Sequence, residues 1–76
     1  MSEAEWLDIF GDNLREMIAE QGMTQADFAD EIGVTEATVS YYVNKKKMPG
    51  IKAIVNMAYV LNISIDELID FGDRII

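Results

Sequence analysis

Apolar residues recur along this chain about every 3.6 positions, and no stretch alternates polar and apolar as a half-buried strand would, so the pattern predicts helices throughout. Trp6, Phe10, Leu14, Met17 and Ile18 form one stripe of a first helix over about Glu3 to Gln21. Ser2 stands where an N-cap belongs and acids fill the first turn. Gly22 ends this helix, and Gly11 interrupts it, marking either a kink or the start of a shorter helix at Phe10. A second helix runs from about Thr24 to Ile32, with Thr24 as cap and Asp27 in the reciprocal place of a capping box. Thr35 caps a third over about Glu36 to Asn44. A fourth covers about Ile51 to Leu61, with Ile54, Val55, Ala58 and Leu61 facing inward and Asn62 taking the left-handed turn that ends it. Ser64 and Glu67 open a fifth, about Ile65 to Phe71. The single proline, Pro49, lies between helical patterns, and no repeat, linker or low-complexity tract divides the chain. Residues 1–76 therefore read as one compact all-α domain of five short helices.

The second and third helices carry the most specific pattern. Ala29, Gly33 and Val39 are spaced as two short helices crossing at a steep angle require. Ala29 is small enough for close approach, Gly33 leaves the first helix in the left-handed conformation glycine adopts freely, and Val39 falls on the inner face of the second. This is a helix-turn-helix signature, and such a unit commonly lays its second helix in the DNA major groove.

Composition narrows the chemistry. The chain has 76 residues, half of them apolar, which excludes a disordered polymer. It has no Cys and no His, so thiolate metal sites and the commonest general base are absent. Its carboxylates, such as Asp27, Asp30 and Glu31 on one helix and Asp66, Glu67 and Asp70 on another, read as solvated faces, so no enzyme activity, cofactor, metal or small-molecule ligand is expected. No apolar run approaches the ~20 residues that span a bilayer, and the N-terminus is acidic, so no membrane association and a cytoplasmic location are expected. The net charge of −8 argues against nucleic acid until its distribution is read. Residues 1–36 carry ten acids and one base, residues 37–65 carry four lysines and no acid, and residues 66–76 carry four acids and one arginine. The positive segment is the third helix, the loop after it and the fourth helix. Such a bipolar molecule can dock one face on phosphates while its acidic remainder weakens non-specific binding.

Three segments together resemble the Cro/repressor-type, Xre-like family of lambda-repressor-like DNA-binding domains: Phe10–Arg15 through Gly22–Gln25, Phe28–Thr35, and Met57–Leu68. The match spans about Phe10 to Phe71. It implies a five-helix fold, DNA binding without catalysis, and usually a homodimer on a palindromic operator. Many members carry arginine at the position of Ile18 and glutamate at that of Val43, a partly buried ion pair; both are apolar here. Exchanging a buried pair for packed apolar groups is often neutral or stabilising, so the joint change implies an intact core. Members also often end the third helix with glycine at the position of Lys45, whose absence leaves Asn44 or Lys45 to take the turn, and Asn44 is expected to do so.

On the third helix, Glu36, Ala37, Ser40 and Tyr41 are the candidate base contacts. Glu36 can accept from a cytosine amine, Ala37 can touch a thymine methyl, and Ser40 and Tyr41 can bond to bases or phosphates. Tyr42 is expected in the core. Thr24 and Gln25, at a helix N-terminus that attracts anions, are candidate phosphate contacts together with Asn44, Lys45, Lys46 and Lys47. The family adds that Gln25 can brace the first recognition residue, here Glu36. Trp6, Phe71, Ile75 and Ile76 either cap the core or form a dimer surface. These features favour a sequence-specific transcriptional regulator, a phage- or prophage-type repressor on double-stranded DNA. The alternative is a protein-interaction module on the same fold, antitoxin-like or anti-repressor, docking through its acidic surface.

Overall fold

The computed structural model describes residues 2–69. Five helices and no strand occur among them: α1 (Glu3–Glu20), α2 (Gln25–Ile32), α3 (Glu36–Val43), α4 (Ile51–Leu61) and α5 (Ile65–Ile69). The capping residues read from the sequence start them. The Ser2 hydroxyl accepts from the Glu5 amide at 3.2 Å while the Glu5 carboxylate returns to the Ser2 amide. The hydroxyl and amide of Ser2 hold the Glu5 carboxyl below its ordinary value. Thr24 and Asp27 form the same reciprocal pair, as do Ser64 and Glu67. Asn62 ends α4 at φ 56°, as expected of a residue that tolerates the left-handed region. The C-terminal end assigned to the fifth helix at Phe71, and the roles considered for Phe71, Ile75 and Ile76, lie outside the described residues.

One core joins the five elements. Phe10, Leu14 and Ile18 of α1 meet Phe28, Ala29 and Ile32 of α2 and Val39, Tyr42 and Val43 of α3; Met57, Ala58 and Leu61 of α4 and Leu68 of α5 close it. Helix α3 packs on α1 and α2, whereas α4 packs on α2 and α5. Ile18 and Val43 are both buried here. Trp6 is half-buried and stacks on Phe10, ring centroids 4.7 Å apart.

Three expectations are corrected. Helix α1 does not start at Phe10 but is continuous from Glu3 through Gly11. A Cβ there would stand 3.0 Å from the Val43 carbonyl oxygen and 3.1 Å from that of Tyr42, so glycine is what lets α1 approach the end of α3. Val55 is exposed rather than inward, and Met57 is buried instead. The inner face of α4 runs Ile54, Met57, Ala58, Leu61, the i, i+3, i+4, i+7 set, and Val55 lies roughly 100° off it. Lys45, not Asn44, takes the left-handed turn after α3, at φ 65°. Asn44 stays near the helical region at φ −91° because its side chain is held from two sides, as described next.

Candidate nucleic-acid interface

Helices α2 and α3 are joined by three residues, Gly33, Val34 and Thr35. Gly33 is left-handed, φ 76° and ψ 33°, and the Val34 amide reaches back to the Ala29 carbonyl at 3.0 Å, closing the end of α2. Thr35 then starts α3, its hydroxyl accepting from the Thr38 amide at 3.2 Å. With Ala29 buried at the crossing, α3 lies close across α2.

The burial pattern of α3 fixes what it presents. Val39, Tyr42 and Val43 point into the core, which leaves Glu36, Ala37 and Tyr41 exposed and Ser40 half-buried on the opposite face. Tyr41 keeps 52% of its surface open, a large aromatic with no place in the core. At the end of this row the Asn44 amide donates to the Ser40 hydroxyl at 3.1 Å, and its carbonyl oxygen accepts from the Arg15 guanidinium at 3.1 Å. Ser40, Asn44 and Arg15 thus form one polar string from α3 to α1. Thr24 and Gln25 open α2; the Thr24 hydroxyl is engaged with the Asp27 amide at 3.0 Å, and Gln25 is half-buried beside it.

The lysine loop does not act as one unit. Lys46 and Lys47 are exposed. Lys45 is turned back, its ammonium 2.8 Å from Asp8 and 3.0 Å from Asp12 on successive turns of α1. Hydrogen bonds to Asp8 and then Asp12 raise its pKa. Its left-handed backbone closes α3 through the Lys46 amide, which bonds the Tyr41 carbonyl at 2.8 Å. Sequence reasoning passed over Arg15, Asp8 and Asp12. Arg15 had one signal, as the lone base among the first 36 residues. The i, i+4 pair of Asp8 and Asp12 had none, because its partner lies more than 30 residues away in sequence.

Among the described residues, no group of His, Cys, Asp and Glu side chains is arranged to hold a metal ion, and no helix is long and apolar enough to cross a membrane. Residues 14–68 match a protein family described as helix-turn-helix. The chain is similar to an uncharacterized HTH-type transcriptional regulator of Archaeoglobus fulgidus, 33% identical over 61 residues that cover 80% of this chain and 87% of the relative. It is likewise similar to YqaE, an uncharacterized HTH-type transcriptional regulator of Bacillus subtilis, 28% identical over 61 residues. That match covers 80% of this chain and 53% of YqaE, so the chain spans about half the length of that relative. The fold is similar to the crystal structure of the restriction-modification controller protein C.AhdI from Aeromonas hydrophila, with a TM-score of 0.79 and 27% identity, covering 82% of this chain and 94% of that one.

Proposed function

Because this chain belongs to the helix-turn-helix family of DNA-binding transcription regulators, we propose that it is a sequence-specific repressor of the phage or prophage type, binding a palindromic operator as a homodimer. One observation carries the reading. Burying Val39, Tyr42 and Val43 leaves a row of differing hydrogen-bonding and apolar groups, Glu36, Ala37, Ser40 and Tyr41, on a short helix free to enter a groove. Asn44, Lys46 and Lys47 at one end and Thr24 and Gln25 at the start of α2 are assigned to phosphate, where they set register and not sequence. Lys45 joins them only by exchanging Asp8 and Asp12 for phosphate oxygens. Since its ligand is genomic DNA, the protein works in the cytoplasm.

Glu36 and Tyr41 decide between this reading and a protein-interaction module. Glu36 repels phosphate in general and rewards a cytosine amine placed to meet it. Glu36→Gln is expected to raise affinity for random duplex and to move the preference toward adenine at one position per half-site. Tyr41→Ala is expected to lose about 1–3 kcal/mol on the specific site and little on random DNA. Titration of both variants on operator and scrambled duplexes measures this; binding of every duplex as the parent does would assign the acidic surface to a protein partner instead.

A further inference from the structure

The polar string between α1 and α3 decides how one side chain of the outer row can bond. Glu36, Ser40 and Asn44 stand four residues apart, on successive turns of one face. A guanidinium only donates. The atom of Asn44 that meets Arg15 at 3.1 Å is therefore its carbonyl oxygen, and its amino group is the part that meets Ser40, also at 3.1 Å. While Arg15 holds the oxygen, the amide does not turn over. Ser40 thus accepts from Asn44, and its own proton is not engaged in the string. Among the described residues no second partner bonds the Ser40 hydroxyl. Accepting from an amide that is itself bound to a cation polarises the Ser40 O–H and strengthens it as a donor.

We infer that Arg15 is a positioning residue for sequence recognition: from α1 it orients the Asn44 amide so that Ser40 turns its proton to the DNA groove. The inference rests on the reading of α3 as the recognition helix and adds the chemistry of one base contact. In the major groove guanine presents O6 and N7 and thymine presents O4, all acceptors for that proton. Cytosine presents only an amine donor, and adenine one atom of each kind. Ser40 is thereby matched to a keto base and mismatched to cytosine. The second proton of the Asn44 amino group stays available to a phosphate oxygen, so the assignment of Asn44 to the backbone stands beside this role. Arg15 acts through Asn44, without a base contact of its own.

Reversing the string tests this. Arg15→Glu puts an acceptor where the guanidinium stands. The Asn44 amide then turns to donate to it, its carbonyl oxygen faces Ser40, and the Ser40 proton is engaged there, leaving only lone pairs toward the groove. Asn44→Asp reaches the same end without altering α1, since a carboxylate accepts from both Arg15 and Ser40. Arg15 and Asn44 are exposed, and Glu forms helix about as well as Arg, so both variants are expected to keep the parent's circular dichroism. Bound sequences are selected from random duplex DNA with the parent, Ser40→Ala, Arg15→Lys, Arg15→Glu and Asn44→Asp. Ser40→Ala identifies the base pair that Ser40 reads, by loss of preference there. On the strand fixed by the flanking consensus, the parent is expected to favour guanine or thymine at that pair, and so is Arg15→Lys, whose ammonium also only donates. Arg15→Glu and Asn44→Asp are expected to favour cytosine or adenine, by about fivefold, the effect of exchanging one neutral hydrogen bond. Both acidic variants also weaken binding to every sequence through their charge, so base preference is the readout. A parent consensus that both leave unchanged overturns the proposal while α3 remains the reader of sequence. An equal shift in Arg15→Lys, or no lost preference in Ser40→Ala, overturns it as well. A parent that selects no common sequence removes the recognition reading itself, and this proposal with it.

Discussion

Lys45 has two roles, one in its backbone and one in its side chain. Its backbone closes α3 in the left-handed region, which costs a side-chain-bearing residue on the order of 1 kcal/mol. Its side chain meanwhile crosses to α1 and sits between Asp8 and Asp12. On the proposed reading, phosphate oxygens would have to displace those carboxylates to reach the ammonium. The three lysines should therefore differ in their contribution to the salt dependence of DNA binding, although they are adjacent in sequence. Lys46→Ala and Lys47→Ala are each expected to reduce the slope of log affinity against log salt by about one, without altering the preferred sequence. Lys45→Ala is expected to change the slope little. Asp8→Asn with Asp12→Asn is expected to increase it by about one, since an ammonium is released to phosphate. Affinity titrations from low to moderate salt read all four. Equal effects from the three lysines would show that Asp8 and Asp12 do not hold Lys45 in solution.

At the scale of elements, the contact of α1 with α3 distinguishes this chain from the family pattern. Ile18 and Val43, both buried in the shared core, stand where many members place arginine and glutamate. Val43→Glu is expected to bury an unpaired carboxylate and cost on the order of 3 kcal/mol. Adding Ile18→Arg should recover part of that loss by rebuilding the ion pair. Thermal melts of the parent, the two single variants and the double variant give the coupling. Strictly additive losses would mean that the two side chains do not meet. The same contact shows how much of the elements was legible in sequence. Ser2, Thr24, Thr35, Ser64 and Asn62 were readable as caps because a cap bonds only within its own turn. The outward row of α3 was readable because Val39, Tyr42 and Val43 identify the inner face by spacing alone. Gly11 and Lys45 were misread for the opposite reason. Gly11 answers to the carbonyls of Tyr42 and Val43, and Lys45 to two acids of α1. Both constraints come from a helix distant in sequence, and local propensity carries no trace of them. Val55 was misread within its own helix, where the i, i+3, i+4, i+7 spacing from Ile54 takes Met57 inward instead.

For the whole molecule, charge and shape divide the labour. On the proposed reading the acids of residues 1–36, Glu36 among them, would keep the molecule from adhering to DNA indiscriminately, while residues 37–65, without a single acid, supply Ala37, Ser40 and Tyr41 of the outer row of α3 and the lysine loop. Affinity for random duplex should therefore be low and fall quickly with salt, and affinity for the correct site should depend on the α3 side chains. On the proposed reading, α3 reads a specific inverted repeat. Selection of bound sequences from random duplex DNA, at low and at moderate salt, is the decisive measurement. Both salts are expected to enrich one inverted repeat, with half-site centres about 34 Å apart, and the consensus is expected to shift for Glu36→Gln but not for Lys46→Ala. Recovery of no common sequence, with binding that vanishes at moderate salt, would show that α3 reads no sequence.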